Sequence, residues 1–226
     1  MVSGENIESD FLKLEKRLEE GCSASELTYW VKRLYKKNNA KVLEVLSRAL
    51  ENKSMPVRKN AARILGKIGD EKVVDLLAKA LDDCSWRVRY AAVSALGKIK
   101  GARAVEILTK ALRDIDDEVR IAAVLALRKI EDVDTVEIIA TALNDASVSV
   151  RHTVVESLAQ IKHEKVIEFL AKALDDNDAL IRRKAVLALG QIGGKKVAEI
   201  LTKALNDTNE NVRRAAVEVL EKIKSA

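Results

Sequence analysis

The sequence predicts an all-α solenoid of about seven antiparallel helix pairs, and three observations predict it. The first is a period of 31 residues: stepping by it from Arg58 meets Arg89, Arg120, Arg151, Arg182 and Arg213. The residue before each is Val57, Val88, Val119, Val150, Ile181 or Val212, and the columns through Leu96, Ile99 and Leu112 recur in the same register. A period of roughly 20 to 50 residues marks units that bury their apolar faces only by stacking on one another. The second is helical periodicity within each unit, where Val88, Ala92, Ala95, Leu96 and Ile99 form one apolar stripe. The third is composition: hydrophobic residues are 48% of the chain but aromatics only 3%, and Pro56 is the single proline. Small aliphatic side chains suit closely packed helices, and the near absence of proline leaves those helices uninterrupted.

Taken in order, residues 1–4 are expected to be a loose terminus. Ile7, Phe11, Leu14 and Leu18 then predict a helix over about 5–20 that ends near Gly21. Ser23 and Glu26 have capping-box spacing before a helix over about 24–37, whose apolar face is Leu27, Trp30, Val31 and Leu34. These two helices, within residues 1–39, form a degenerate opening pair, since Leu27 stands where later units have arginine. Residues 40–226 hold six further pairs, each a short helix such as Ala102–Leu112 and a longer one such as Ser85–Ile99, in one continuous domain. Gly66, Gly97 and Gly190 leave room for close helix approach, and Gly69 and Gly193 are placed as left-handed caps. The last pair ends at Asn211–Lys224 with Glu221 on a more polar outer face, as a C-terminal cap requires.

No leading apolar segment and no run long enough to span a membrane is visible, so a cytoplasmic protein without a membrane partner is expected. Cys22 and Cys84 lie in different units without metal-ligand spacing, and no disulfide is expected. Charged residues at 33%, with Gln160 and Gln191 the only glutamines, resemble thermophile composition. The net charge of +5 is weakly consistent with an acidic partner, because acids and bases alternate without a charged block.

The VRxxAAxALGxI pattern, Val88-Arg89 through Ile99 and Val57-Arg58 through Ile68, together with the AVEILTKAL helix at Ala104–Leu112, resembles HEAT-like repeats of the phycobilisome bilin-lyase type. It is also similar to artificial α-helical repeat proteins built on that consensus. The resemblance implies a right-handed α–α superhelix over residues 40–226 and long helices that line a concave face. It also implies an Asp and Arg ladder between layers: Asp83, Asp114, Asp145, Asp176 and Asp207 each stand six residues before an arginine. The family includes scaffolds, chaperones, lyases, hydroxylases and DNA glycosylases, so fold alone does not assign function.

A nucleophile with a histidine partner, a glycine-rich phosphate loop and a ligand constellation are all missing from the sequence. His163-Glu164 superficially resembles a di-iron His-Glu pair, but one pair cannot close a coordination sphere. No catalytic, metal or cofactor site is expected. Recognition is expected instead on variable positions of the long helices: Trp86, Tyr90, Ile121, Leu125, Val148, His152 and Leu187, with Lys98 and Lys129 among a basic rim that includes Lys59, Arg63, Lys67, Arg87, Arg183 and Lys184. The expected function is a non-enzymatic scaffold for a protein or peptide, with an acidic peptide or helix the favoured partner and Trp86 and Tyr90 its anchors. A bilin-lyase-like enzyme or chaperone, nucleic-acid binding on the rim, and self-association are the alternatives.

Overall fold

Fourteen α-helices and no strand occur among the described residues of the computed structural model, which are 7–20, 24–130 and 133–225. Gly21 and the Ser23 half of the capping box lie outside them, as do Cys22 and the first residues of the chain. Contacts divide the chain into two compact units, Met1–Ala126 and Leu127–Ala226.

In the first unit, α1 (Ile7–Glu20) and α2 (Ala24–Lys37) form the opening pair, and α3 (Asn39–Leu50) and α4 (Met55–Ile68) the next. They are followed by α5 (Val74–Lys79) with α6 (Trp86–Ile99), and α7 (Ala102–Ala111) with α8 (Asp117–Arg128), of which the unit takes the part through Ala126. Burial follows the stripe: Val88, Ala92 and Leu96 are inaccessible to solvent, and so are their counterparts Ala61 and Leu65 on α4. A glycine on α4 and another on α6 let backbones meet, since a Cβ on Gly66 would lie 2.5 Å from the Cβ of Ala95, and one on Gly97 would lie 2.6 Å from that of Ala126. Close approach therefore outweighs the ~1 kcal/mol helix-propensity cost of glycine.

The second unit repeats the scheme with α9 (Val133–Ala140), α10 (Val148–Leu158), α11 (Val166–Ala173), α12 (Ala179–Ile192), α13 (Lys195–Leu201) and α14 (Glu210–Ser225). Several short helices end earlier than their sequence pattern, tightening into 3₁₀ turns at Ala80–Asp82, Thr141–Asn144 and Thr202–Asn206. Such turns satisfy carbonyls that the end of an α-helix leaves without partners.

The turns between short and long helices are built around the recurring aspartates. Asp83 Oδ1 accepts from the backbone N–H of Ser85 at 2.8 Å, and Asp114, Asp176 and Asp207 accept in the same way from Asp116, Asp178 and Asn209. At the far ends of the long helices Gly69 is left-handed, with φ 71 and ψ 13. Gly193 differs from the expected left-handed cap: its φ is 70 but its ψ is −167. Lys100 occupies the same column with φ 62 and ψ −173, a conformation that ordinarily needs glycine.

Candidate functional site

Register places the charged groups of the first unit. Because α4 and α6 are offset by one repeat, Lys59, Arg63 and Lys67, spaced by four residues along one helix face, stand beside Tyr90, Ser94 and Lys98. These residues, with Arg87, Ala91 and Ala95, line a groove of 280 Å³. Its floor is low because Ala91 and Ala95 are buried small residues against the Gly66 approach. Five of the nine lining residues are cationic and none is acidic. Among the described residues Lys59, Arg63 and Lys98 form no ion pair, and Lys67 Nζ donates to Thr28 Oγ1 at 2.7 Å, linking α4 to α2. Field from such a surface attracts anions.

The aromatic pair beside the groove is arranged edge to face. The Trp86 and Tyr90 rings are 6.5 Å apart at 89°, and the Arg87 guanidinium lies 4.6 Å from the Trp86 ring centre. Tyr90 is 40% exposed, whereas Trp86, Ile121 and Leu125 are half-buried, so Tyr90 is by fraction the more exposed of the two aromatic residues.

Sequence reasoning missed the extension of this surface onto α2. A second cavity, of 790 Å³, is lined by Tyr29, Lys32, Arg33, Tyr35, Lys36, Lys37 and Ile68. Stepping back 31 residues from Arg63 and Lys67 reaches Lys32 and Lys36, so the repeat itself carried the signal. Tyr35 donates to Asp70 Oδ2 at 2.6 Å. Burial, then the hydrogen bond and charge of Asp70, push the Tyr35 hydroxyl up to about 12, and the same hydrogen bond with that from the Lys72 N–H holds Asp70 below its ordinary value.

Within the second unit the homologous positions carry a different character. Val148 is 44% exposed and Leu187 37%, Lys129 is exposed, and half-buried His152 has Nδ1 3.7 Å from Glu156. Glu156 also pairs with Lys184, and that hydrogen bond, opposed by burial and aided by His152, keeps its carboxyl below the usual range. Lys184 thus adds no unbalanced charge to its face. His163 Nδ1 accepts from the Lys165 N–H at 3.2 Å in a turn, and no cluster of three metal-ligating side chains occurs among the described residues. Cys84 is a free, exposed thiol. None of the described helices is long and apolar enough to cross a membrane.

The arginines form rungs that run one way along the chain. Arg89 Nε and Nη2 donate to both carboxylate oxygens of Asp114 at 2.7 Å, while Nη1 donates back to the Asp83 carbonyl at 3.0 Å. Arg58 does the same to Asp83, Arg151 to Asp176 and Arg182 to Asp207. Arg120 Nη1 donates to the Asp114 carbonyl at 2.7 Å, and Arg213 Nη1 to that of Asp207 at 2.7 Å. Asp145 belongs to the same column and accepts from the Ser147 N–H at 2.8 Å. Burial alone would raise the Asp114 carboxyl, yet the hydrogen bonds from Arg89 and the Asp116 N–H, with the charges of Arg89 and Arg120, hold it below the ordinary carboxylate value. These guanidinium groups are occupied by the stack.

Helix pairs that recur in one register, tied by arginine rungs, define a helical-repeat protein. More particularly, the chain belongs to the HEAT repeat family, whose model matches residues 13–88, 75–148 and 135–221. An engineered protein is 26% identical with TM-score 0.51, covering 81% of this chain and 96% of its own. The archaeal HEAT-like repeat protein from Thermococcus onnurineus NA1 is 17% identical with TM-score 0.52, covering 95% and 97%. The CpcE and CpcF complex of phycocyanin lyase from Nostoc sp. PCC7120 is 23% identical with TM-score 0.48, covering 98% and 97%, too low a similarity to carry an argument about activity. A search of curated protein sequences gives no match.

Proposed function

We propose that the protein is a non-enzymatic interaction scaffold that holds an acidic protein or peptide on the long-helix face of its first unit. The observation that carries this reading is the groove between α4 and α6, where Lys59, Arg63, Lys67, Arg87 and Lys98 converge with no acidic side chain among the lining residues. Tyr90 supplies the exposed aromatic contact, its ring standing edge to face with that of Trp86. Ile121 and Leu125 border the same unit's face as half-buried apolar support, while Val148, His152, Leu187 and Lys129 form the corresponding face of the second unit. Nucleic acid is the second reading, favoured by the same cations, which would contact phosphates.

The test is binding of an acidic peptide, followed by fluorescence anisotropy, to wild-type protein, Tyr90→Ala and Arg63→Glu. Tyr90→Ala should weaken binding by about 2 kcal/mol if the ring is an interface anchor. Arg63→Glu should slow association and make it less dependent on salt, as reversing an attractive rim charge does. Both variants should keep the wild-type unfolding midpoint, since neither side chain is in the core. Undiminished binding by Arg63→Glu would remove the groove from the recognition surface.

A further inference from the structure

Resting on that reading, we propose that the acidic partner of the groove between α4 and α6 is a second copy of this chain, which inserts the acidic turn leading into α8 with Ile115 at its tip. Ile115 is 92% exposed, more than any other large apolar side chain among the described residues. The repeat does not require it there, for the same column holds Cys84, Ala146, Asn177 and Thr208. Four carboxylates adjoin it in sequence, Asp114, Asp116, Asp117 and Glu118, against the single base Arg113. Acids in the first turn of α8 suit the helix dipole, but the dipole gives no reason for an isoleucine held in water. The next most exposed apolar side chains, Leu12 and Tyr29, stand among charges of both signs, with Asp10 and Lys13 beside the one and Glu26 and Lys32 beside the other.

The groove offers the complement in both charge and size. Lys59, Arg63 and Lys98 are among its lining residues, with exposed Tyr90 beside a floor of Ala91 and Ala95. A cavity of about 150 Å³ admits a six-carbon ring, so the 280 Å³ here admits the four side-chain carbons of one isoleucine and leaves its flanking carboxylates at the rim, where the cations stand. The turn is already shaped for insertion. Asp114 accepts from the Asp116 N–H at 2.9 Å and is held by Arg89, and Asp116 Oδ1 accepts from the Glu118 N–H at 3.1 Å. A preformed turn loses little freedom on binding, which a loose acidic peptide cannot match. The same anchoring keeps Ile115 out of the groove of its own chain, as its exposure shows, so the contact needs another copy. Groove and turn are different surfaces, which makes the contact head to tail and lets it propagate from copy to copy. A contact made by one turn is small, and small interfaces are weak. Two copies with a net charge of +5 repel each other overall, the more so at low salt, so association that strengthens as salt falls has to come from local complementarity.

Sedimentation velocity of the whole chain from about 1 μM to 1 mM reads the assembly. At about 0.01 M ionic strength, where the screening length is about 30 Å, the wild-type mass should rise with concentration to at least that of a dimer; at about 1 M, where it is about 3 Å, the chain should be monomeric. Arg63→Glu and Ile115→Lys should each weaken association tenfold or more, while Lys79→Glu on α5, the same charge change outside the groove, should leave it as in wild type. An equimolar mixture of Arg63→Glu and Ile115→Lys should associate again and stop at a dimer, because one chain brings only an intact turn and the other only an intact groove. Both residues are exposed, and circular dichroism of each variant should match wild type. A monomer at every concentration, with a labelled oligoglutamate still bound and lost with Arg63→Glu, would overturn self-association while leaving the acidic-partner reading standing. Association that survives Arg63→Glu or Ile115→Lys, or a mixture that stays monomeric, would overturn it as well. A labelled oligothymidine bound with neither oligoglutamate binding nor association, or no binding of any kind, would overturn both readings.

Discussion

Arg89→Ala removes one rung of the ladder, and its cost can be worked from the geometry. The guanidinium is 7% exposed as a residue and makes two charged hydrogen bonds of 2.7 Å to Asp114 and one of 3.0 Å to the Asp83 carbonyl. Truncation leaves the Asp114 carboxylate, with a side chain only 10% exposed, facing a void where its counter-charge stood. Breaking a buried ion pair by removing one partner costs roughly 3–5 kcal/mol. Asp114 keeps the Asp116 N–H and the nearby Arg120 charge, which places the expected loss near the lower end, about 3 kcal/mol. Urea unfolding followed by circular dichroism gives the number, with Asp114→Ala and the double variant completing a cycle. The double variant should be less destabilised than the sum of the singles by about 1–3 kcal/mol, because it buries no unpaired charge. A loss below about 0.5 kcal/mol for Arg89→Ala, the scale of an exposed pair, would refute the reasoning.

Gly97→Ala should destabilise by about 1–3 kcal/mol although alanine is the better helix former, because its Cβ would lie 2.9 Å from the Ala126 Cα, a backbone atom that cannot rotate away; thermal unfolding measures this. Lys100→Gly should do the reverse, raising stability by roughly 1 kcal/mol through relief of the positive φ, and an unchanged midpoint would show that the lysine is unstrained there. Asp83, Asp114, Asp176 and Asp207 all have lowered carboxyl values in the fold. Their contribution to stability is therefore full above the unfolded-state value of about 3.9 and is lost as pH falls through the lower folded values. Unfolding free energy should thus stay level from neutrality to about pH 5 and drop steeply below pH 4, with a shallower drop in Arg89→Ala.

The helices were legible in the sequence because the repeats compare themselves: α2 begins at Ala24 and ends at Lys37, as the pattern of Leu27, Trp30, Val31 and Leu34 implies. Helix ends were less legible, since whether a short helix such as α9 finishes as α or as a 3₁₀ turn depends on which carbonyls the next turn can satisfy. The candidate site was legible as charge and not as shape. Lysine and arginine columns can be counted, but the half-burial of Trp86 follows from its ring turning edge-on to Tyr90 and from Arg87 stacking over it, a choice of rotamers that spacing does not encode. Ile121 and Leu125 are likewise half-buried, which residue type alone does not distinguish from exposure.

The rungs have a direction, and that gives the stack a grammar. Arg58, Arg89, Arg151 and Arg182 read forward, each gripping an aspartate 25 residues later, and each of those aspartates also organises its own turn. At the front of the ladder the rule is suspended on both sides at once: Leu27 has no guanidinium to offer, and the turn it would reach holds Asn52, whose amide oxygen still accepts the Ser54 N–H at 2.8 Å but carries no charge to be matched. At the other end Arg213 donates to the Asp207 and Thr208 carbonyls and grips no carboxylate among the described residues. A helix pair grafted after α14 with aspartate 25 residues beyond Arg213 would find a guanidinium in the right register, whereas one grafted before α1 would need Gly21, one repeat before Asn52, rewritten as aspartate. The array is extensible from one end by addition and from the other only by revision.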